Sequence, residues 1–117
     1  MLKIRGKTIC KKIVVCSNIF SQGLGLMLRS KDSVKGTAWI FEFSKPRKIA
    51  ITMAFVFFPI DLAYVDGKGK IVELKRNLKP FQYYYPKSKA VACIELKAGA
   101  IRDFRIQLGQ HARWYPR

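Results

Sequence analysis

Residues 49–66 read IAITMAFVFFPIDLAYVD, the most continuously apolar stretch of the chain. Between positions 49 and 58 only Thr52 is polar, and no residue is charged. Successive side chains of a strand point to opposite faces, so a strand here would be apolar on both faces. β-Branched and aromatic side chains dominate, which favours a strand over a helix. We therefore expect a strand that is covered on both sides at the centre of the fold.

Pro59 interrupts this stretch, because proline has no backbone N–H to donate to a neighbouring strand. Residues 60–65 then resume a strand. Asp66-Gly67 is a turn signal, and Gly69 suits a second turn position with positive φ. Residues 70–74 provide the returning strand. The sequence therefore predicts an antiparallel hairpin over residues 60–74.

Alternation of apolar and polar residues predicts further strands elsewhere in the chain. They cover residues 3–16, 37–43, 90–96 and about 112–115. The first of these is expected to be partly exposed. The second is expected to form a hairpin with the central stretch, because a polar turn around Ser44-Lys45-Pro46 separates the two.

Two short helices complete the predicted fold. Ser17-Asn18 is a helix N-cap signal, and apolar residues recur at helical spacing from there to about Arg29. Gly23 and Gly25 weaken that helix. Residues 99–105 suit one more helical turn. We expect a mostly β (α+β) fold with one domain over residues 1–117: a single compact antiparallel sheet or a small barrel-like body with one or two short helices.

The net charge of +16 comes from 23 Lys and Arg residues against 7 acidic residues. Half of the residues are apolar and 13% are aromatic, which excludes a disordered chain. The basic excess is spread over both halves of the chain rather than gathered in a tail. A field of this sign attracts polyanions, so nucleic acid or another polyanion is the expected partner. The alternative is a solubilising surface that attracts polyanions non-specifically.

Other features narrow the class of protein. Met1 to Arg5 is not followed by the apolar core of a signal peptide, and no apolar run is long enough for a membrane-spanning helix, so we expect a soluble, cytoplasmic protein without a transmembrane segment.

Three cysteines are expected to be free thiols, because Cys10 and Cys16 are about 20 Å apart on an extended strand. There is no C-x-x-C, and His111 is the only histidine, so no metal site and no cofactor are predicted. The oligomeric state is left open.

The segment 75–89 combines aromatic rings with positive charge. It contains five basic residues and no acidic residue. Aromatic rings stack on unpaired bases while ammonium groups contact phosphates. The candidate binding residues are Lys75, Arg76, Lys79, Tyr83, Tyr84, Tyr85, Lys87 and Lys89. The segment is expected to form a loop or an irregular sheet edge. The alternative is that the tyrosines cover the edge of the core with their hydroxyl groups in water.

Several short motifs follow one another in a recognisable order. They are Gly25-Leu26-Met27-x-Arg29, Met53 followed by Pro59-Ile60-Asp61, Asp66-x-x-Gly69-x-Ile71, Pro80, and Ile94-Glu95-Leu96-x-Ala98-Gly99. Over about residues 10–115 the chain resembles the DUF192 family, also called UPF0127. The resemblance implies a small, mostly β domain with one or two short helices, found in bacteria and archaea, without an activity established for the family as a whole.

The chain also departs from the family pattern W-M-K-N-T-x-x-P-L-D. The polar K-N-T is here Ala54-Phe55-Val56, and the tryptophan before Met53 is Thr52. The aspartate of a late G-D motif is Gln110. If any of these polar groups carries chemistry in the family, this chain has lost it.

Arg29, Asp61 and Glu95 are charged residues that coincide with the family motifs. An arginine and two carboxylates around one cleft would suit a small-ligand pocket or an enzyme with general acid–base chemistry. The structural alternative is that Arg29 forms a charge-assisted hydrogen bond with one of the carboxylates and fastens the short helix to the sheet.

Three hypotheses of function follow. The first, which we favour, is a non-catalytic binding module for an anionic partner, with nucleic acid as the candidate. The second is the small-ligand pocket or enzyme around Arg29, Asp61 and Glu95. The third and weakest is membrane contact through Phe57, Phe58 and Pro59, helped by the positive charge.

Overall fold

The computed structural model describes residues 1–16 and 29–115. These residues form ten strands, one short α-helix and one 3-10 helix, which confirms the prediction of a mostly β fold. The strands are β1 (Leu2–Ile4), β2 (Lys7–Cys10), β3 (Lys12–Cys16), β4 (Thr37–Arg47), β5 (Ile51–Thr52), β6 (Ile60–Val65), β7 (Ile71–Leu78), β8 (Tyr83–Tyr84), β9 (Ala90–Lys97) and β10 (Ala112–Trp114). The 3-10 helix covers Lys31–Val34, and α1 covers Ala100–Asp103. The helix predicted from Ser17 lies outside the described residues.

The strands divide among three sheets instead of one. The five-stranded sheet has the order β3-β4-β9-β6-β7, the three-stranded sheet the order β10-β1-β2, and β5 pairs with β8 alone. Strand β3 runs parallel to β4, so the main sheet is mixed. The predicted hairpin between residues 37–43 and the central stretch is wrong, because β9 lies between β4 and β6. Strand β9 has apolar residues on both faces, which suits this interior position.

Strand β6 lies between β9 and the edge strand β7 in the main sheet, and all six of its residues are buried. Leu62 and Tyr64 pack on one side of the sheet, in a cluster with Trp39, Phe41 and Met53. Ala63 and Val65 pack on the other side, in a cluster that includes the aliphatic residues of β1, β4, β9 and α1. The expectation of a strand covered on both sides is therefore met at residues 60–65.

The expectation of two-sided cover is wrong for residues 49–58. Ile49, Ile51 and Met53 are buried, whereas Ala50 and Thr52, between them, are exposed. Only Ile51–Thr52 forms a strand, and its partner is the two-residue β8. The segment lies at the periphery, so one side faces the core and the other faces solvent. Apolar composition alone does not distinguish this position from a central one.

The β6–β7 hairpin is confirmed. A side-chain oxygen of Asp66 accepts the backbone N–H groups of Lys68 and Lys70, both at 2.9 Å. These hydrogen bonds, the one from Lys70 above all, hold the pKa of the Asp66 carboxyl below its usual value. Gly69 has φ of 83°. A Cβ there would lie 3.3 Å from the carbonyl oxygen of Ala112. The absence of a side chain at Gly69 therefore allows β10 to pack closely against the turn.

The N-terminal segment predicted as one strand contains three. Arg5 and Gly6 both have positive φ, at 55° and 75°, and they turn β1 back onto β2. Strand β3, which follows β2, belongs to the main sheet. Two consecutive residues with positive φ form a tight hairpin turn, which the Arg5-Gly6 dipeptide permits through its glycine.

None of the three cysteines forms a disulfide bond, and all three thiols are buried, as predicted. Burial raises the pKa of Cys10 to about 11. Burial also raises the pKa of Cys93 well above its usual value. Both thiols are therefore neutral near pH 7 and lack the thiolate that a nucleophile needs.

Candidate binding surface

The predicted basic and aromatic segment is split between two elements. Lys75 and Arg76 belong to β7, and the remaining candidates lie in the connection between β7 and β9, which we call the 79–89 loop. Within this loop Phe81, Tyr83 and Tyr85 are 59%, 64% and 61% exposed. The prediction named a loop or an irregular sheet edge: residues 75–78 belong to the bulged edge strand β7, and residues 79–89 form the loop.

The pairing of β5 with β8 decides which rings face solvent. Thr52 lies opposite Tyr83, and Ile51 lies opposite Tyr84. Because side chains alternate along a strand, Tyr84 points to the core with Ile51, while Tyr83 points outward with Thr52. The Tyr84 ring packs 6.1 Å from the ring of Tyr64, centroid to centroid. Tyr84 is therefore part of the core edge, whereas Tyr83 and Tyr85 are presented to solvent.

Glu73 on β7 accepts several hydrogen bonds from the loop. Its carboxylate accepts the hydroxyl of Tyr84 and the backbone N–H groups of Lys87 at 3.0 Å and Ser88 at 2.7 Å. Burial raises the pKa of this carboxyl, but hydrogen bonds from Tyr84, Ser88 and Lys87 outweigh burial, and the net pKa lies below its usual value. Burial and the bond to Glu73 raise the pKa of Tyr84 to about 12. The loop is thus held by an ionised carboxylate that it covers.

Positive charges lie against the tyrosine rings. The ammonium group of Lys75 is 5.8 Å from the centroid of Tyr84, and that of Lys48 is 6.0 Å from the centroid of Tyr85. Lys79, Lys87 and Lys89 are exposed along the loop. Lys48 was not among the predicted residues, because it lies far away in sequence and only the β5–β8 pairing brings it here.

Arg76 is placed differently from the other basic candidates. It lies in a bulge of β7, between the pairs Ile60–Leu78 and Leu62–Lys75. Asn77, the next residue of the bulge, has φ of 51° and donates its backbone N–H to Asp61 at 2.8 Å. Arg76 is exposed, and it belongs to this bulge rather than to the loop with the tyrosines.

Three exposed phenylalanines form a cluster that the sequence did not predict, although Phe57 was named as a candidate membrane contact. The ring of Phe81 lies 6.3 Å from that of Phe55 and 5.3 Å from that of Phe57, both edge to face. Phe55 is 54% exposed and Phe57 60% exposed. The pattern of residues 49–58 suggested buried rings, and no local signal distinguishes this turn from a strand. Of the residues in the membrane hypothesis, Phe57 and Pro59 are exposed and Phe58 is buried.

Asp61 holds backbone groups of two other elements. One carboxylate oxygen accepts the N–H of Asn77, and the other accepts the N–H groups of Gly99 at 3.1 Å and Ile101 at 3.0 Å. Asp61 is buried, so these bonds replace the water that a carboxylate otherwise binds. Its geometry is that of a structural acceptor that ties the β7 bulge and the start of α1 to β6.

Glu95 lies on the opposite face of the main sheet from Asp61. It pairs with Leu62 and Trp39, whereas Asp61 pairs with Leu96. Arg29 is on the Glu95 side, because its guanidinium lies 4.8 Å from the centroid of the Trp39 ring. Burial raises the pKa of Glu95 to about 8. The structure thus brings Arg29 and Glu95 to one face around Trp39, and it does not bring Asp61 into the same cleft.

Two general findings apply to residues 1–16 and 29–115. No helix in these ranges has the length and apolar character needed to cross a membrane. The same ranges hold no cluster of three or more His, Cys, Asp or Glu side chains suited to a metal ion.

Comparison with known proteins places this fold in a family. The sequence model of DUF192, described as "Uncharacterized ACR", matches residues 1–114. The chain belongs to the DUF192 family. A UPF0127 protein of Thermococcus sibiricus is 27% identical over 112 residues, which cover 96% of this chain and 71% of the relative. A UPF0127 protein of Pyrococcus abyssi is 27% identical over 105 residues, which cover 88% of this chain and 86% of the relative.

Two crystal structures share the DUF192 fold seen here. One, from Novosphingobium aromaticivorans, is a protein of unknown function with a TM-score of 0.83 and 18% identity, covering 97% of this chain and 83% of its own. The other, from Sinorhizobium meliloti, is described as a candidate transcription regulator, with a TM-score of 0.80 and 18% identity over 86% of this chain and 79% of its own. At this identity the likeness concerns the fold alone.

The structure shows the local surroundings of three residues that depart from the DUF192 pattern. Thr52 stands on the exposed side of β5 opposite Tyr83, and its hydroxyl accepts the N–H of Ala54 at 3.2 Å. Phe55 has φ of 57°, a left-handed conformation that asparagine adopts more readily than phenylalanine. Gln110 accepts the N–H of Gln107 at 3.0 Å and so closes the turn before β10. Thr52 and Gln110 therefore have local structural roles, whereas Phe55 occupies a backbone conformation that suits asparagine better.

Proposed function

We propose that this DUF192 protein is a non-catalytic binding module for a polyanion, with nucleic acid as the candidate partner. Its contact surface is the 79–89 loop together with Lys48 and Lys75. The observation that carries the proposal is the combination of exposed aromatic rings on this loop with ammonium groups, namely Lys48 beside Tyr85 and the exposed lysines of the loop. Aromatic faces suit bases, and lysines suit phosphates.

The charge balance around the loop supports an anionic partner. Over the whole chain basic residues outnumber acidic ones by 23 to 7. Glu73, the carboxylate nearest to the loop, is hydrogen-bonded to the loop's own backbone and to Tyr84. Lys79, Lys87 and Lys89 are exposed. An approaching polyanion therefore meets ammonium groups before it meets the carboxylate.

The proposal is tested by titrating the full chain with a fluorescent single-stranded oligonucleotide at several salt concentrations. We expect the logarithm of the association constant to fall linearly with the logarithm of salt concentration. The double variant Lys87→Gln/Lys89→Gln should bind more weakly and lower the salt slope by about 1.4, since each phosphate contact on a single strand contributes about 0.7.

The matched control is Lys7→Gln/Lys35→Gln, which removes the same charge from exposed positions on β2 and after the 3-10 helix. It should leave the salt slope unchanged. Equal effects of the two double variants would favour a diffuse solubilising charge over a defined surface. Absence of binding at low salt would rule out the proposal.

A further inference from the structure

The outward side of the β5–β8 ribbon carries a row of aromatic rings that extends beyond the predicted tyrosines. Tyr83 and Tyr85 lie two residues apart, which is about 6.6 Å along an extended chain. Phe81 precedes Tyr83 by two residues, and its cluster with Phe55 and Phe57 lies at the turn before β8. All five rings are more than half exposed. We call this set the aromatic platform.

The backbone under the platform is fixed before any partner binds. Met53 donates its N–H to Gln82 at 2.8 Å, and Phe81 donates its N–H to Met53 at 3.0 Å. The side chain of Gln82 accepts the N–H of Lys79 at 2.9 Å and closes the turn. A backbone that is already in place loses little conformational freedom on binding, which favours affinity.

Two platform residues are held in an unfavourable backbone conformation. Phe55 has φ of 57° and Phe81 has φ of 63°. A bulky side chain in the left-handed region costs free energy, and such strain is concentrated at functional sites. Here it directs two apolar rings into solvent, where they contribute little to the core. Selection for a contact outside the chain explains this arrangement better than selection for stability.

The ring geometry leaves surfaces available to a planar partner. Phe55 and Phe57 each meet Phe81 edge to face, at interplanar angles of 70° and 75°. Such a contact uses at most one face of a ring, so Phe55 and Phe57 each keep a face for another group. Every nucleobase has a π-face, and stacking on protein aromatics tolerates any base sequence.

The polarity of the rings favours bases over lipid hydrocarbon as the occupant. Lys48 lies beside Tyr85 at one end of the row, and Lys79 adjoins the Phe81 turn at the other. Two of the five rings carry hydroxyl groups, which find hydrogen-bond partners on bases but not in hydrocarbon. We propose that the aromatic platform stacks the unpaired bases of a single-stranded nucleic acid, while Lys48 and Lys79 contact its phosphates.

This inference rests on the proposed function, and its test separates the two. The full chain is titrated with labelled oligothymidylate of about 12 nucleotides, within the site sizes of single-strand binding domains, and with an abasic strand of the same length. The abasic strand has the phosphates without the bases. We expect the wild type to bind oligothymidylate more tightly than the abasic strand.

The variants are Phe57→Ala and Tyr83→Ala, at positions without positive φ. Each should weaken oligothymidylate binding by about fivefold or more, because stacking on one ring is lost. Each should leave affinity for the abasic strand within about twofold, since the ammonium groups remain. Phe104→Ala is the matched control, because Phe104 is 45% exposed after α1, whose Ile101 packs on the other side of the main sheet.

A gain-of-affinity variant covers the case in which a truncated ring disturbs folding. Thr52 faces outward beside Tyr83, so Thr52→Trp adds a stacking surface to the row and should tighten oligothymidylate binding alone. Circular dichroism and thermal unfolding are measured for each variant to test whether it is folded.

Four results would overturn the inference. Equal wild-type affinity for the two strands would leave polyanion binding standing and remove the platform. Platform variants that weaken binding of both strands equally would also remove the platform and leave polyanion binding standing. Loss of sedimentation with phosphatidylserine vesicles in Phe57→Ala, with oligothymidylate binding unchanged, would assign the rings to a lipid surface. Binding of neither strand at low salt would reject the proposed function together with this inference.

Discussion

The carboxylate of Glu73 accepts the hydroxyl of Tyr84, and this bond fastens the inward side of the 79–89 loop to β7. The same carboxylate accepts two backbone N–H groups, of Lys87 and Ser88. The loop that presents the exposed tyrosines is therefore organised by one acidic residue that it covers. The position of the candidate surface depends on this contact.

Replacement of Glu73 by alanine should loosen the loop. It leaves two backbone N–H groups and the Tyr84 hydroxyl without their acceptor, and we expect the free energy of unfolding to fall by about 1–3 kcal/mol. Urea denaturation measures the loss, and hydrogen exchange at Lys87 and Ser88 should become faster. Glu73→Gln retains an acceptor oxygen and should lose less. An alanine variant as stable as the wild type would contradict this role.

Replacement of Asp61 by alanine should destabilise the whole fold. Three backbone N–H groups, of Asn77, Gly99 and Ile101, lose their acceptor in a buried site, so we expect a loss of at least about 3 kcal/mol. Urea denaturation again gives the value. The control is Asp103→Ala, since Asp103 is exposed and its ion pair with Arg102 is worth little. Similar stabilities of the two variants would be inconsistent with Asp61 as a structural acceptor.

Glu95 should make the protein less stable as the pH rises. Burial raises its pKa to about 8 from an ordinary value of 4.5. Between these values the folded state holds a proton that the unfolded chain has released, so the free energy of unfolding falls as the pH increases. The expected loss from pH 5 to pH 8.5 is on the order of a few kcal/mol.

The measurement is urea denaturation across that pH range for the wild type and for Glu95→Gln. The glutamine variant cannot release a proton, so its stability should depend much less on pH. Asp103→Asn, which removes an exposed carboxyl, should keep the wild-type slope. A wild-type slope that persists in Glu95→Gln would show that another group is responsible.

The strained backbone at Phe55 predicts a difference between two otherwise similar variants. Asparagine tolerates left-handed φ, so Phe55→Asn relieves strain, whereas Phe57→Asn has no positive φ to relieve. Both changes remove one edge-to-face contact with Phe81. We expect Phe55→Asn to be the more stable by about 1 kcal/mol, measured by thermal unfolding. The reverse order would argue against strain at Phe55.

Sequence patterns predicted the elements whose signals are local. The hairpin of β6 and β7 follows from two apolar runs around the Asp66-Gly67 turn, and β9 follows from alternation over residues 90–96. The short helix α1 and the closing strand β10 were also predicted. The three strands within residues 2–16 were not, because the turn at Arg5-Gly6 is a weak signal.

The candidate surface could be predicted only in part. Tyr83, Tyr85 and the loop lysines were chosen from composition, but Tyr84 was grouped with them although it faces the core. Phe55 and Lys48 were missed, and Phe57 was named only as a membrane contact, because only the pairing of β5 with β8 and the turn at Phe81 bring these residues to the loop.

The sequence by itself determined the membership of DUF192, the mostly β character, the position of β6 in the core and the strong positive charge. These properties depend on composition, on alternation and on motifs that neighbouring residues form. The tertiary structure alone decided that Asp61 and Glu95 lie on opposite faces of one sheet, and which aromatic rings reach solvent. Facing is set by the register between strands that are distant in sequence, and a shift of one residue would reverse it.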